Sequence, residues 1–363
     1  MQKSLMALAV AGALVAPAAM AQVQIGGSIH LQYFNNNPDN ESASKGSDYL
    51  TTSEPEVYLR GEEKLGGGLS VWFQCTSSFD VLGQGLGAWC GRNSGIGFRG
   101  DFGNLFFGTW DTPHKLITNL ARGWWGGTNT LQGGTATILF NDSDSNIGNS
   151  GSSFFRRHRR SINYHSPDWS GFSLQAAFSS QNEVTAIPDS APEKPRLLSV
   201  AGQFRTGPFF AGLGYEKHQD FGNVQSDDSS INAVVGFTFA GVARVSLLYA
   251  QVEYDPTGGV KTEHDGLALY LDWSLGGPHK LYVQYAMRNE TEVGGTEIPD
   301  SGVDVLGVAY GYSFSKRTQG YVAYNSMSFD GPNVSGISQN TTAAGPTVGG
   351  TQKVFGVGLR HSF

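Results

Sequence analysis

From Gln22 onward the chain alternates with a period of two, and this limits what it can become more than any other feature. Ile25, Gly27, Ile29, Leu31 and Tyr33 interleave with Gln24, Gly26, Ser28, His30 and Gln32, which gives one apolar and one polar face of an extended strand. The pattern returns in Phe172/Leu174/Ala176/Phe178, in Leu267/Leu269/Leu271/Trp273/Leu275 and in Leu281/Val283/Tyr285/Met287. The connections alternate too. Short ones such as Gly66-Gly67-Gly68, Thr206-Gly207-Pro208, Ala240-Gly241 and Gly276-Gly277-Pro278 take turns with long polar ones, among them 35–53, 111–153, 182–195, 289–301 and 330–350. Counted this way the chain holds about 16 segments of roughly ten residues, the length a tilted strand needs to cross a bilayer.

A β-sandwich also alternates, but its apolar faces must meet in one core, which leaves no role for so many long polar faces. A closed barrel with lipid outside and water inside uses both faces and satisfies every backbone group. The expectation is therefore an all-β fold, a 16-stranded antiparallel transmembrane β-barrel with short periplasmic turns and long extracellular loops. Aromatics near strand ends, Tyr33, Trp169, Phe172, Phe209, Tyr215, Trp273 and Tyr285, fit girdles at the two membrane interfaces. Fifty glycines with 39% hydrophobic residues also suit strands and turns better than a helical core.

The first 21 residues read as a secretory signal peptide: Lys3, an apolar stretch from Leu5 to Val15, and Ala19-Met20-Ala21 as the cleavage site. The barrel then occupies 22–363, and no later run reaches the roughly 18 apolar residues of a membrane helix. Cys75 and Cys90 are the only cysteines. Outside the cytoplasm the preferred reading is a disulfide across a loop between adjacent strands, with two unbridged thiols as the alternative.

Little in the chain suggests chemistry. GIGFRG, Gly95 to Gly100, matches a dinucleotide fingerprint formally, yet Ile96 and Phe98 alternate with Gly97 and Arg99, so it lies inside a strand rather than at a strand–helix turn. NDSDSN, with Asp142 and Asp144, reads as a solvated loop rather than a calcium site, since the distant Glu of an EF-hand is missing. No catalytic constellation, metal cluster or cofactor motif assembles. The chain reads as a non-enzyme that takes no cofactor and no nucleic acid.

The charge is more informative. The chain is acidic, with a formal net charge of -7, but Arg156 to Arg160 reads RRHRR. With Ile162 and Tyr164 toward lipid, Ser161, Asn163 and His165 face the lumen. Extending the alternation puts Arg157 and Arg159 there as well, and leaves Arg156, His158 and Arg160 outward at the rim. Val57 and Leu59 outward put Tyr58, Arg60 and Glu62 inward; Ile96 and Phe98 outward put Arg99 inward. Three strands thus aim arginines at one interior. The alternative is a solvated rim that binds lipopolysaccharide phosphates or pairs with loop carboxylates.

The last strand, VFGVGLRHSF, places Phe355, Val357, Leu359, His361 and Phe363 on one face and ends on an aromatic residue. With QIGGSIHLQYF, RNSGIGFRGDFGNLFFG and SINYHSPDWSGFSLQAAF, it resembles the Gram-negative outer-membrane porins, most closely the trimeric general porins of β-proteobacteria. The resemblance implies a homotrimer in the outer membrane, in contact with its lipids and lipopolysaccharide. It also implies a terminal Phe363 read by the barrel-assembly machinery, and a third loop, 111–153, folded inward as a constriction. Arg60, Arg99, Arg157 and Arg159 would form the basic wall of that constriction, with Asp142 and Asp144 on the loop side. Where relatives often end the fifth strand Gly-Arg, this chain reads Gly108-Thr109, so the ion preference expected is weak to moderate. The function expected is passive diffusion of small hydrophilic solutes and ions with a preference for anions. The alternatives are a porin specific for an anion such as phosphate or a dicarboxylate, an outer-membrane barrel enzyme, or an adhesin.

Overall fold

The computed structural model describes residues 23–38, 47–83, 87–122, 138–140, 153–180, 195–220, 227–255, 259–331 and 349–363. The expected signal peptide, 1–21, and the loop acids Asp142 and Asp144 lie outside the described residues.

The chain runs β1 (Gln24–Pro38), β2 (Ser47–Thr52), β3 (Glu56–Gly66), β4 (Leu69–Ser78), β5 (Ser94–Gly100) and β6 (Gly103–Asp111), then a helix α1 (Pro113–Ala121). It continues through β7 (Arg157–His165), β8 (Phe172–Ser179), β9 (Arg196–Thr206), β10 (Phe209–Gln219), β11 (Asp227–Phe239), β12 (Ala243–Tyr254), β13 (Thr262–Gly276) and β14 (His279–Arg288). Last come β15 (Thr291–Val293), β16 (Thr296–Ile298), β17 (Val303–Ser313), β18 (Thr318–Phe329) and β19 (Gly350–Ser362). Every neighbouring pair is antiparallel, and β1 pairs with β19 over Ser28↔Ser362 to Pro38↔Gln352, so the sheet closes on itself. The short strand β2 extends the first long connection, and β15 and β16 form a hairpin in the seventh. The remaining strands make a closed 16-stranded barrel.

The alternation explains why these segments become this sheet. Outward positions such as Ile96, Phe107, Ile162, Phe178, Leu213, Val235 and Leu269 are exposed hydrophobics, stable only against lipid. Inward neighbours such as Ser28, Gln32, Asn163, Ser199 and Asn232 are buried and polar. With no water among the lipid tails, closure is what satisfies the backbone, because an open edge would leave unpaired groups at a cost of several kcal/mol each. The short turns need little chain: Gly67 takes a left-handed φ of 57° between β3 and β4, which a residue with a Cβ adopts only under strain. Trp169 and Phe172 at a short turn, and Tyr33 and Tyr285 toward the long connections, are exposed and sit where interfacial girdles belong. Cys75 on β4 and Cys90 in the following loop are joined in a disulfide.

The third long connection, between β6 and β7, does not stay outside. Helix α1 starts where Thr112 accepts from the Lys115 N–H and Pro113 occupies the first turn, an N-cap followed by a residue pre-set for helix. It lies against the inner wall of β9 to β12, with Ile117 2% and Leu120 7% exposed. The wall makes room with small residues: a Cβ on Gly212 would meet the side chains of Ile117 and Leu120, and one on Gly214 would meet Ile117 and the backbone of His114. A second limb of the loop, Ile138 to Phe140, is also fully buried and packs Leu139 over Gly266 of β13. Burying side chains such as Ile117 and Leu120 contributes about 1.5–3 kcal/mol each.

Candidate functional site

Hydrogen bonds fix α1 at both ends. Asn232 on β11 donates to the His114 carbonyl and to Thr118 Oγ1, both at 2.9 Å, and the His114 N–H donates to Ser199 Oγ at 3.0 Å. His114 Nε2 meets Ser230 Oγ at 3.0 Å, and its Nδ1 lies 3.1 Å from the Phe154 carbonyl. At the other end, Arg244 on β12 donates to the Ala121 carbonyl at 3.0 Å and to that of Leu120, and Ser246 donates to Ala121 at 2.5 Å. A cation at a helix C-terminus satisfies carbonyls that the helix leaves unpaired and complements its dipole. Burial holds the His114 imidazole at a pKa of about 4, so it is neutral near pH 7 and both nitrogens can hydrogen-bond within the packed loop.

The opposite arc, β3 to β6, is open. A cleft of about 520 Å³ there is lined by Gln24, Arg60, Glu62, Trp72, Gln74, Arg99, Asn104 and Trp110. Register explains why they meet: Arg60 pairs with both Gln24 and Gln74, Glu62 with Trp72, and Ser70 with Arg99, all on the inner face. Arg60 Nε donates to Gln24 Oε1 at 2.9 Å, and its guanidinium lies 5.0 Å from the Tyr58 ring centre. Arg99 is 3.3 Å from Glu62 and 5.7 Å from the Trp72 ring. Both members of that pair are roughly half exposed, so water screens it and it adds little stability.

Arg60 and Arg99 therefore lie on the inner wall as the alternation predicts. The cluster Arg156 to Arg160 does not obey it. Gly108 pairs with Ser161 but Trp110 pairs with His158, so β7 carries one extra residue, and Arg160 takes a left-handed φ of 54°. Such a bulge shifts every residue above it to the other face. His158, expected outward, is fully buried on the inner face with Trp110. Arg159, expected inward, is exposed and occupies the bulge beside Arg160. Arg157 donates from Nε to Asn93 at 2.6 Å and pairs with Asp111 at 3.2 Å, while Lys115 reaches the same carboxylate at 2.7 Å. These contacts tie down the root of the inward loop.

The same alternation would have given basic residues that the sequence reading passed over. Arg205, Arg244, Lys280 and Arg360 stand at inward positions of β9, β12, β14 and β19, each within two residues of the strand end at the short-turn side. With Lys64 and Arg99 they ring that mouth of the barrel, which also carries the carboxylates of Glu62, Asp101 and Asp272. The helix had a signal too: Thr112-Pro113 is an N-cap and first-turn signature.

A lumen lined with charge, a loop packed inside it and an apolar exterior together describe a membrane channel. The profile of the Gram-negative porin family matches residues 7–332. The chain belongs to that family. Outer membrane porin protein 32 of Delftia acidovorans is 26% identical over the full length of both chains, and the major outer membrane protein P.IB of Neisseria meningitidis serogroup A is likewise 26% identical over the full length of both. Among solved structures, an anion-selective porin from Comamonas acidovorans shares the fold with a TM-score of 0.79 at 22% identity, covering 94% of this chain and 100% of the other. The trimer form of OmpT from Vibrio cholerae shares it with a TM-score of 0.67 at 14% identity, covering 94% and 99%. This porin is an outer-membrane channel of a Gram-negative bacterium, and the relatives named are channels rather than enzymes.

Proposed function

We propose that this porin lets small hydrophilic solutes and ions diffuse passively, with a weak to moderate preference for anions. The constriction lies between α1 and the arc carrying Arg60 and Arg99. The observation that carries the reading is the pairing deficit of that arc: two guanidinium groups face the lumen beside one carboxylate, Glu62, on the wall opposite a docked helix. Charge lining a narrow water-filled passage selects by sign while the gap sets a size limit. Within a Debye length of about 8 Å these groups outweigh the net negative charge of the chain. The anion-selective relative from Comamonas supports the sign.

The remaining assignments belong to the same proposal. The chain assembles as a homotrimer, a reading supported by the trimer form of a structural relative. Its surface meets lipopolysaccharide and lipid, and Phe363 is read during barrel assembly. Residues 1–21 are the export signal. Asp142 and Asp144 act as the acids of the constriction loop toward the arginines, and Arg157 orders the root of that loop through Asp111 and Asn93. Reversal potential across a planar bilayer in a KCl gradient tests the selectivity. Wild type reverses on the anion side, and Arg60→Glu and Arg99→Glu each shift it toward cations by several millivolts or more. A wild type that prefers cations, or reversals that move nothing, would sink the filter.

A further inference from the structure

The arginine-bearing cleft contains more apolar ring surface than a charge filter needs. Trp72 and Trp110 both line it, their centroids are 5.9 Å apart in an edge arrangement, and each packs on Phe106, at 5.3 and 4.9 Å. Phe106 is fully buried, so this is a braced platform, and it sits beside water that carries solute. Trp72 itself is 7% exposed and lies under the Arg99 guanidinium, so the ring surface offered to the water is that of half-buried Trp110. Apolar surface at a wet wall costs hydration free energy unless something covers it.

The hydrogen-bonding state of the cleft narrows the choice of occupant. Several of its side-chain acceptors already have donors: Glu62 accepts from Ser70 at 2.6 Å and from Arg99 at 3.3 Å, Gln24 from Arg60 at 2.9 Å, and Asn104 from the Trp72 indole N–H at 2.6 Å. Gln74 spends its amide N–H groups on the Asn93 carbonyl and Thr76. Two features stand out beside them: donor capacity on Arg60, which has no carboxylate within ion-pair range among the described residues, and the half-buried ring of Trp110. A sugar carries no charge, so it draws from the Arg60 cation only ordinary hydrogen bonds, about half as strong as those a carboxylate makes there. A flat ring bearing one carboxylate matches both features, since a carboxylate accepts a guanidinium fork in the plane of the ring and the ring packs against tryptophan.

We propose that the cleft between β1 and β6 is a binding subsite for aromatic carboxylates of benzoate size, which dock their carboxylate on Arg60 and their ring on Trp110, braced from behind by Trp72 and Phe106. This rests on the reading of the barrel as an anion-preferring pore and adds a solute class to it. Arg99 guards the far side of the same cleft, its guanidinium over Trp72 and its charge shared with Glu62. Such a subsite raises the residence of aromatic anions in the passage without closing it to smaller ions.

Chloride current through the full-length protein in planar bilayers, titrated with benzoate, with cyclohexanecarboxylate and with glucose, tests the proposal. Benzoate reduces the current at millimolar concentration, whereas cyclohexanecarboxylate, equal in charge but puckered, and uncharged glucose do so far less. Trp110→Leu and Arg60→Gln each raise the concentration for half-block about tenfold, and Trp110→Phe restores part of it. Stepwise conductance in KCl shows that each variant has folded. Quenching of tryptophan fluorescence by the same three solutes in detergent reads the cleft independently of the current. Equal block or equal quenching by benzoate and cyclohexanecarboxylate overturns the subsite, as does a stronger response to glucose or indifference to Trp110→Leu. Absence of anion preference in KCl with benzoate-specific quenching intact would break the filter and leave the subsite standing.

Discussion

The arc from β9 to β12 and the arc from β3 to β6 are written in the same alternating pattern, yet one is dry and the other wet. On the first, inward positions are small or carry short hydrogen-bonding side chains, Ser199, Gly212, Gly214, Asn232 and Ser246, and a helix fills the space they leave. On the second, inward positions are longer, with Arg60, Glu62 and Arg99 beside Gln74, Asn104 and Trp110, and they line an open cleft. The size of the inward side chain, which alternation alone does not specify, separates a packed wall from a working one.

The contrast breaks most severely if the dry arc is made wet. Ile117→Asp places a charge between α1 and β10 where the wall offers only Gly212, Val234 and their neighbours, and burying an unpaired charge costs far more than the docking it replaces. The expected outcome is a clear rise in single-channel conductance with loss of anion preference, as the constriction leaves the opposite wall, while heat-resistant barrel mobility on gels is retained.

A milder loosening follows from pH. His114 titrates near 4 in the folded protein against about 6.5 in an unfolded chain, so its folded pKa is depressed. For a histidine this means that docking is intact above about 6.5 and weakens as pH falls from there toward 4, because the undocked state takes up the proton first. Glu216 and His218 of β10 and Arg156 also face this pocket, and protonation of the first removes a charge that favours His114⁺. The prediction is open-channel noise that grows between about pH 6.5 and 4, and less steeply in His114→Asn.

The smallest effect sharpens the comparison from the other side. Arg159 is exposed and stands in the bulge of β7, away from the arc that carries Arg60. Arg159→Glu should shift the reversal potential by less than half of the shift given by Arg60→Glu. An equal shift would return Arg159 to the basic wall.

Much of this is legible in the sequence alone. The alternation carried the barrel, its closure and the inward side of β3 and β5, because lipid and water enforce a period of two along an unbroken strand, while the inward loop was legible only through the resemblance to the porins. The alternation failed where the strand is broken. One extra residue at Arg160 reverses the faces of Arg157 to Arg159, and nothing in RRHRR marks it, since a bulge is settled by pairing with Gly108 and Trp110 on another strand. The seat of α1 was hidden for a related reason: Gly212 and Gly214 read as weak strand positions until the side chains they accommodate are known.

The seam where β1 meets β19 has a consequence in time. It joins residues more than three hundred positions apart, with Gly27 and Phe363 exchanging backbone hydrogen bonds at 3.2 and 3.0 Å. Contacts this remote in sequence form slowly, and until they form both strands present open edges able to pair with another chain. The growing sheet is therefore unsafe to leave alone over nearly its entire synthesis. Until that seam closes, each completed hairpin adds barrel wall but removes neither of the two edges.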